Sequence, residues 1–335
     1  MLLYAGVRKE TATQILKVLG FTKEINSKHH DIQDILFKNN TNSSESMFYR
    51  VKAIFLQNGA NVEYQIKNLT IQHYQTKIEM MDFDKNPKGS VEKINKWVAT
   101  HSNDQMKDLI FKDVTIYTNF LLVSAIEFQA KWNHLIFPKD TTLKAFNGIA
   151  GPTKPIPMMT FNGTIMYFID PLGKVQVMEL PYLVDNIGAY IILPSSESNI
   201  TNVESKLTTM GVRSILTRLI PTNVKVILPK LAFKLNYDLA PQLREMGMPF
   251  MFDKRKGNVT LAEIVTSFML PLNNFYHQST TSFQDDGKLL GQEMAVPSGL
   301  SNISPQIFKA DRPFLFCIVS KNTQIPIFIG RYMGE

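Results

Sequence analysis

Apolar residues along this chain recur with two different periods. Thr11-Ala12-Thr13-Gln14 reads as a capping box, with Ile15, Leu16 and Leu19 on one side after it and Gly20 as a stop. An amphipathic helix is predicted there. A second follows Ser90, where Val91, Ile94, Trp97 and Val98 share a face, and a third opens at Asp238, carries Leu239, Leu243 and Met246, and ends at Gly247. Strand-length apolar runs occupy 119–128, 174–180, 188–193, 224–228, 314–320 and 326–332. This order is not the regular strand–helix alternation of a doubly wound sheet, so the expected class is α+β with large, mostly antiparallel sheets.

The most apolar segments, 120–126 and 314–319, are far shorter than the roughly 20 residues a membrane-spanning helix needs. No membrane partner is expected. With 335 residues, 44% hydrophobic and 19% charged, the chain can bury a sizeable core, and the absence of repeats or a long linker predicts one domain, 1–335. The polar stretch 38–46 reads as a loop. Cys317, the single cysteine, rules out an intramolecular disulfide, and its setting in Phe314-Leu-Phe-Cys-Ile-Val319 predicts a buried core thiol.

A formal charge of +7 allows weak attraction to a polyanion, yet Lys254-Arg255-Lys256 is the only tight cluster and reads as a solvated turn, so no specific nucleic acid is expected. Candidate glycosylation acceptors occur at Asn39, Asn42, Asn68, Asn162, Asn199 and Asn258; Asn302 is a poorer one because of Pro305. They point to a secretory route. The six histidines, His29, His30, His73, His101, His134 and His277, lack metal-ligand spacing, so no metal is expected. Phosphate-cradling glycine motifs and the nucleophile elbow are also missing, and Ser298 reads as a turn residue. The expectation is no cofactor, no catalytic residue and no enzyme.

Several ordered segments resemble the serpins, the serine protease inhibitor family. Ile94-Asn95-Lys96-Trp97-Val98 with Ser102-Asn103-Asp104-Gln105-Met106 resembles INxWV…TNGKI, its Thr, Gly and Lys replaced. Ala125-Ile126-Glu127-Phe128-Gln129-Ala130-Lys131-Trp132, then Phe137 and Thr141, resembles NAIYFKGxW…F…T, with Ser124 in place of Asn. Pro157-Met158-Met159, Glu179-Leu180-Pro181-Tyr182, Ile192-Leu193-Pro194, Leu228-Pro229-Lys230, Leu243–Gly247, Phe308–Phe314 and Phe328-Ile329-Gly330-Arg331 follow in order.

The resemblance implies a serpin fold of three mostly antiparallel sheets with about eight helices, and an exposed reactive loop at about 287–307. It also implies a serine protease as partner, a monomer, and action outside the cell. In the family the cleaved loop inserts as a new central strand and drags the acyl-linked protease with it. The scissile bond is expected in the region of Leu300, Ser301 and Asn302, while Ser124 and His277 are implied to be structural residues under the sheet.

Asp285-Asp286-Gly287 fits the family's hinge; the residues after it do not. Counted from Lys288, the inward set of an inserted strand is Lys288, Leu290, Gln292 and Met294, where the family has small residues. Impaired or absent trapping is therefore expected, the alternative being a non-inhibitory serpin acting as a binding or carrier protein. Residues 1–9 resemble the end of the family's second helix, so an N-terminal helix and strand are expected to be missing, and with them any signal peptide.

Overall fold

The computed structural model describes residues 3–7, 9–21, 46–72, 74–112, 114–132, 140–152, 154–170, 172, 174–184, 186–253, 271–283 and 304–334. A 3-10 turn at Leu3–Gly6 leads into α1 (Lys9–Val18), β1 (Ser46–Gln57), α2 (Tyr64–Gln72), β2 (Lys77–Met81), α3 (Pro87–His101) and β3 (Phe120–Ala130). Next come β4 (Asp140–Lys144), β5 (Asn147–Gly148), β6 (Gly151–Pro152), β7 (Ile156–Ile169), β8 (Val175–Pro181), β9 (Ile187–Pro194), α4 (Ile200–Met210) and α5 (Val212–Leu216). The chain continues through β10 (Ile220–Pro229), β11 (Leu231–Asp238), α6 (Ala240–Glu245), β12 (Asn274–Phe283), β13 (Gln306–Lys309), β14 (Phe314–Ser320) and β15 (Ile325–Tyr332). It divides into two compact units, one of residues 1–38, 48–128 and 233–281, the other of 39–47, 129–232 and 282–335.

The first unit is built on a five-stranded sheet in the order β11-β12-β3-β1-β2. Strand alternation sends Val51, Ala53 and Phe55 of β1 and Leu121, Val123 and Ala125 of β3 to one face, where Ile94 and Val98 of α3 cover them. Ile54, Leu56, Phe120 and Leu122 take the other face and meet Leu3, Val7 and Ile15. Each of these valine, leucine, isoleucine and phenylalanine side chains removed from water contributes about 1.5–3 kcal/mol.

The second unit holds an eight-stranded sheet, β13-β10-β7-β8-β9-β14-β15, with β4 also on β7. Long β7 joins its halves, pairing with β10 as far as Tyr167 and with β8 from Tyr167 to Ile169. Together with the five-stranded sheet, these halves make the three principal sheets expected. Parallel pairing among the described ladders is confined to β1/β2, β3/β12 and β10/β13. Central strands β9 and β14 are buried at every position, which is why both read as unbroken apolar runs. Cys317 sits in that core, and burial pushes its thiol up to about 12.

All three predicted helices form, with different starts. Helix α1 begins at Lys9, ahead of the capping box, and Thr11 is buried in its first turns; Gly20 does end it, at φ +69. Asn86 rather than Ser90 caps α3, its Oδ1 accepting from the Gly89 N–H at 2.9 Å, and Pro87 supplies the pre-set first turn. At α6, Asp238 Oδ1 accepts from the Ala240 N–H at 3.2 Å, so the aspartate marks the boundary without lying in the helix. Asp104, where the serpin-like segment has lost its glycine, adopts φ +61, a left-handed conformation that a short polar side chain tolerates.

Candidate functional site

A seam between strands remote in sequence, β3 and β12, runs through the five-stranded sheet. The two strands are parallel neighbours in register from Leu121/Asn274 to Phe128/Thr281. Asn273 fastens the start of this ladder: its Oδ1 accepts from the Asn119 and Phe120 N–H groups at 2.9 and 3.1 Å, and its own N–H donates to the Phe120 carbonyl at 2.9 Å. Asp238 secures the same end of β12, accepting from Asn274 Nδ2 at 2.7 Å and from the Phe275 N–H at 3.2 Å. Fully buried Gln278 donates through Nε2 to Asn236 Oδ1 at 2.7 Å and to the Lys107 carbonyl at 3.1 Å. Asn273→Ala would strand two backbone donors at the foot of the seam. A loss of about 2 kcal/mol is expected, read as an unchanged m-value with a lower urea midpoint.

Ser124 and His277, the two residues placed under the sheet by sequence, are Cα partners across this seam. Burial lowers the His277 imidazole below its ordinary value, and its hydrogen bond to the Ser124 backbone opposes that shift. Near neutral pH the ring is therefore held uncharged.

Fragments matched separately in the sequence come together in the second unit. Trp132 stacks on Tyr182 at 4.4 Å and 10°, and also lies 6.0 Å from Phe283, the last residue of β12; Phe283 in turn meets Phe316 edge-on at 5.2 Å. The Lys230 N–H donates to the Pro157 carbonyl at 2.9 Å, and Arg312 Nε donates to the Pro194 carbonyl at 2.8 Å. Residues remote in sequence thus act as joints between strands.

The hinge Asp285, Asp286, Gly287 and Lys288 and the scissile region Leu300, Ser301 and Asn302 lie outside the described residues, as do Asn39, Asn42, Asn258 and Lys254-Arg255-Lys256. The end of the expected loop, Gln306 and Ile307, belongs to β13. Of the candidate acceptors, Asn68 lies exposed in α2 with the Thr70 hydroxyl turned to the Lys67 carbonyl at 2.8 Å. Asn162 is exposed in β7, and Asn199 caps α4 by accepting from the Asn202 N–H at 2.8 Å. Sequence reasoning missed Asn273 and read Asp238 only as a helix start, because the bonds of both to this seam depend on strands far apart in the chain.

The family model described as Serpin (serine protease inhibitor) matches residues 1–334. An uncharacterized serpin-like protein of Thermococcus kodakarensis is 28% identical over 99% of this chain and 77% of its own length. Intracellular coagulation inhibitor 2 of Tachypleus tridentatus is 25% identical over 98% of this chain and 81% of its own length. The crystal structure of uncleaved ovalbumin shares the fold with a TM-score of 0.86 at 24% identity, covering all of this chain and 90% of ovalbumin's. The sheets, the β3/β12 seam and the aromatic joint thus stand in a known framework: the chain belongs to the serpin family.

Proposed function

We propose that this chain is a single-domain serpin of residues 1–335, a serine-type endopeptidase inhibitor homologue acting outside the cell in regulation of proteolysis, with trapping impaired or absent. A serine protease takes the loop at about 287–307 as bait and cuts near Leu300-Ser301 or Ser301-Asn302. The chain itself performs no catalysis. What carries this reading is the hinge sequence: counted from Lys288, the Lys288 and Gln292 side chains would face inward in a strand inserted between β3 and β12. Burying an unpaired polar side chain costs a few kcal/mol, and if ~3 kcal/mol appears in the insertion barrier, insertion slows about 100-fold. Hydrolysis of the acyl bond then wins the race.

Secretion is inferred from the Asn-x-Ser/Thr tripeptides, Asn162 being exposed. The same hinge also favours a non-inhibitory binding or carrier role as a second reading. Incubation with chymotrypsin-like and elastase-like proteases, followed by denaturing gels, tests both. Cleavage at 300–302 with no covalent complex is the expected result; a stable complex at near-equimolar ratio overturns the proposal, and a chain neither cut nor trapped supports the carrier role.

A further inference from the structure

Lys52 lies in β1, one strand from β3 in the five-stranded sheet. Two contacts fix how these strands are matched. The Gln57 N–H donates to the Asn119 carbonyl at 2.9 Å, and the Phe48 and Phe128 rings lie 6.3 Å apart. The end of β1 therefore meets the start of β3, the strands run antiparallel, and both contacts join residues whose numbers have the same sum. That sum brings Lys52 level with Ser124, and His277, the Cα partner of Ser124, extends the row into β12. On the other side, the β1/β2 register brings Thr76 level with Lys52.

Ile54, Leu56, Phe120 and Leu122 cluster on one sheet face with Phe275 packed against them, so counting by two puts Lys52, Ser124 and His277 on that face as well. The same count sends Lys77, Glu79 and Glu127 to the opposite face. Among the described residues, the other titratable groups on the face of the row include Arg50, two residues back in β1, Tyr237 of β11, whose neighbour Asn236 takes the opposite face with Gln278, and Tyr4, which packs there from the N-terminal turn. Thr76 is buried, with its hydroxyl committed to the Tyr74 carbonyl at 3.0 Å. A part-buried amine thus sits in a row of hydroxyl and imidazole groups that holds no carboxylate.

We propose that the Lys52 amine is a covalent modification site for small uncharged aldehydes, seated in the row formed with Ser124 and His277. The amine lone pair attacks the carbonyl carbon, and the oxygen takes the proton the nitrogen sheds to give a carbinolamine. Loss of one water then leaves an imine, so each amine and aldehyde yield one imine and one water. Neutral His277 can relay the proton from nitrogen to the leaving hydroxyl, with the Ser124 hydroxyl between them.

The electrostatics agree with the geometry: burial first, and the charge of Arg50 second, bring Lys52 down to about 7. About half of it is then free amine at pH 7, against roughly 1 in 3,000 for an ordinary lysine. Lower basicity weakens each free amine as a nucleophile and partial burial slows access, so the net preference expected is about tenfold.

The test uses the full chain, limiting formaldehyde with cyanoborohydride, and peptide mapping from pH 6 to 10. Lys52 should be methylated about tenfold faster than the median lysine at pH 7. Its rate should level off above about pH 8 while the others continue to climb, and the preference should vanish in urea. Arg50→Gln should move its inflection to higher pH. Labelling of Lys52 no faster than that of other lysines at pH 7, or a rate still rising through pH 9, overturns the proposal, and neither outcome depends on a variant that must fold.

Discussion

Replacing Lys288 with threonine and Gln292 with alanine together is expected to give a trapping inhibitor, with insertion about 100-fold faster than in the natural chain. The inserted strand would gain backbone bonds to β3 on one side and β12 on the other, the two parallel neighbours whose ladder it must first separate. That gain is common to both sequences. What differs is the inward side-chain set: in the natural chain an ammonium and an amide leave water, whereas in the variant a hydroxyl and a methyl do. Thermal unfolding offers a second readout. Loop cleavage should raise the midpoint of the variant strongly and that of the natural chain little. A large upward shift in the natural chain would show that Lys288 is accommodated inside the sheet and would remove the physical basis for impaired trapping.

How much of this could be read from sequence depended on whether a segment's neighbours are local. Strands β9 and β14 are buried on both faces, so their apolar runs announce them regardless of partners. Strand β12 carries Asn274, His277, Gln278, Ser279, Thr280, Thr281 and Ser282, a composition that reads as loop; parallel pairing with β3, more than a hundred residues earlier, makes it a strand. The capping box at Thr11 misled because its threonine packs into the core instead of exposing a cap oxygen, and Asn86-Pro87 was the stronger start signal for α3. At the candidate site, Ser124 and His277 were legible through the resemblance. Lys52 was not: its place beside them follows from the register of three strands, and no spacing in the sequence encodes it.

Phe283→Ala is expected to cost about 3–5 kcal/mol, the largest single-residue effect on stability anticipated for this chain. Phe283 is fully buried, nearly parallel to Trp132 at 19° and edge-on to Phe316 at 85°, so truncation removes the ring that links Trp132 to Phe316. The size of the loss depends on whether Phe316 can swing into the void. Gly330 bears on this as well, because a Cβ there would run into Phe316 Cζ and lie 2.6 Å from its Cε1. Gly330→Ala alone should therefore overpack the joint and cost about 1–3 kcal/mol. In the Phe283→Ala background the displaced Phe316 ring gains the vacated space, so the two substitutions together should cost about 1 kcal/mol less than their sum. Urea unfolding of the two single variants and the double variant measures all three terms. A Phe283→Ala loss below about 1 kcal/mol, or strict additivity with Gly330→Ala, would mean that the rings do not form one packed unit.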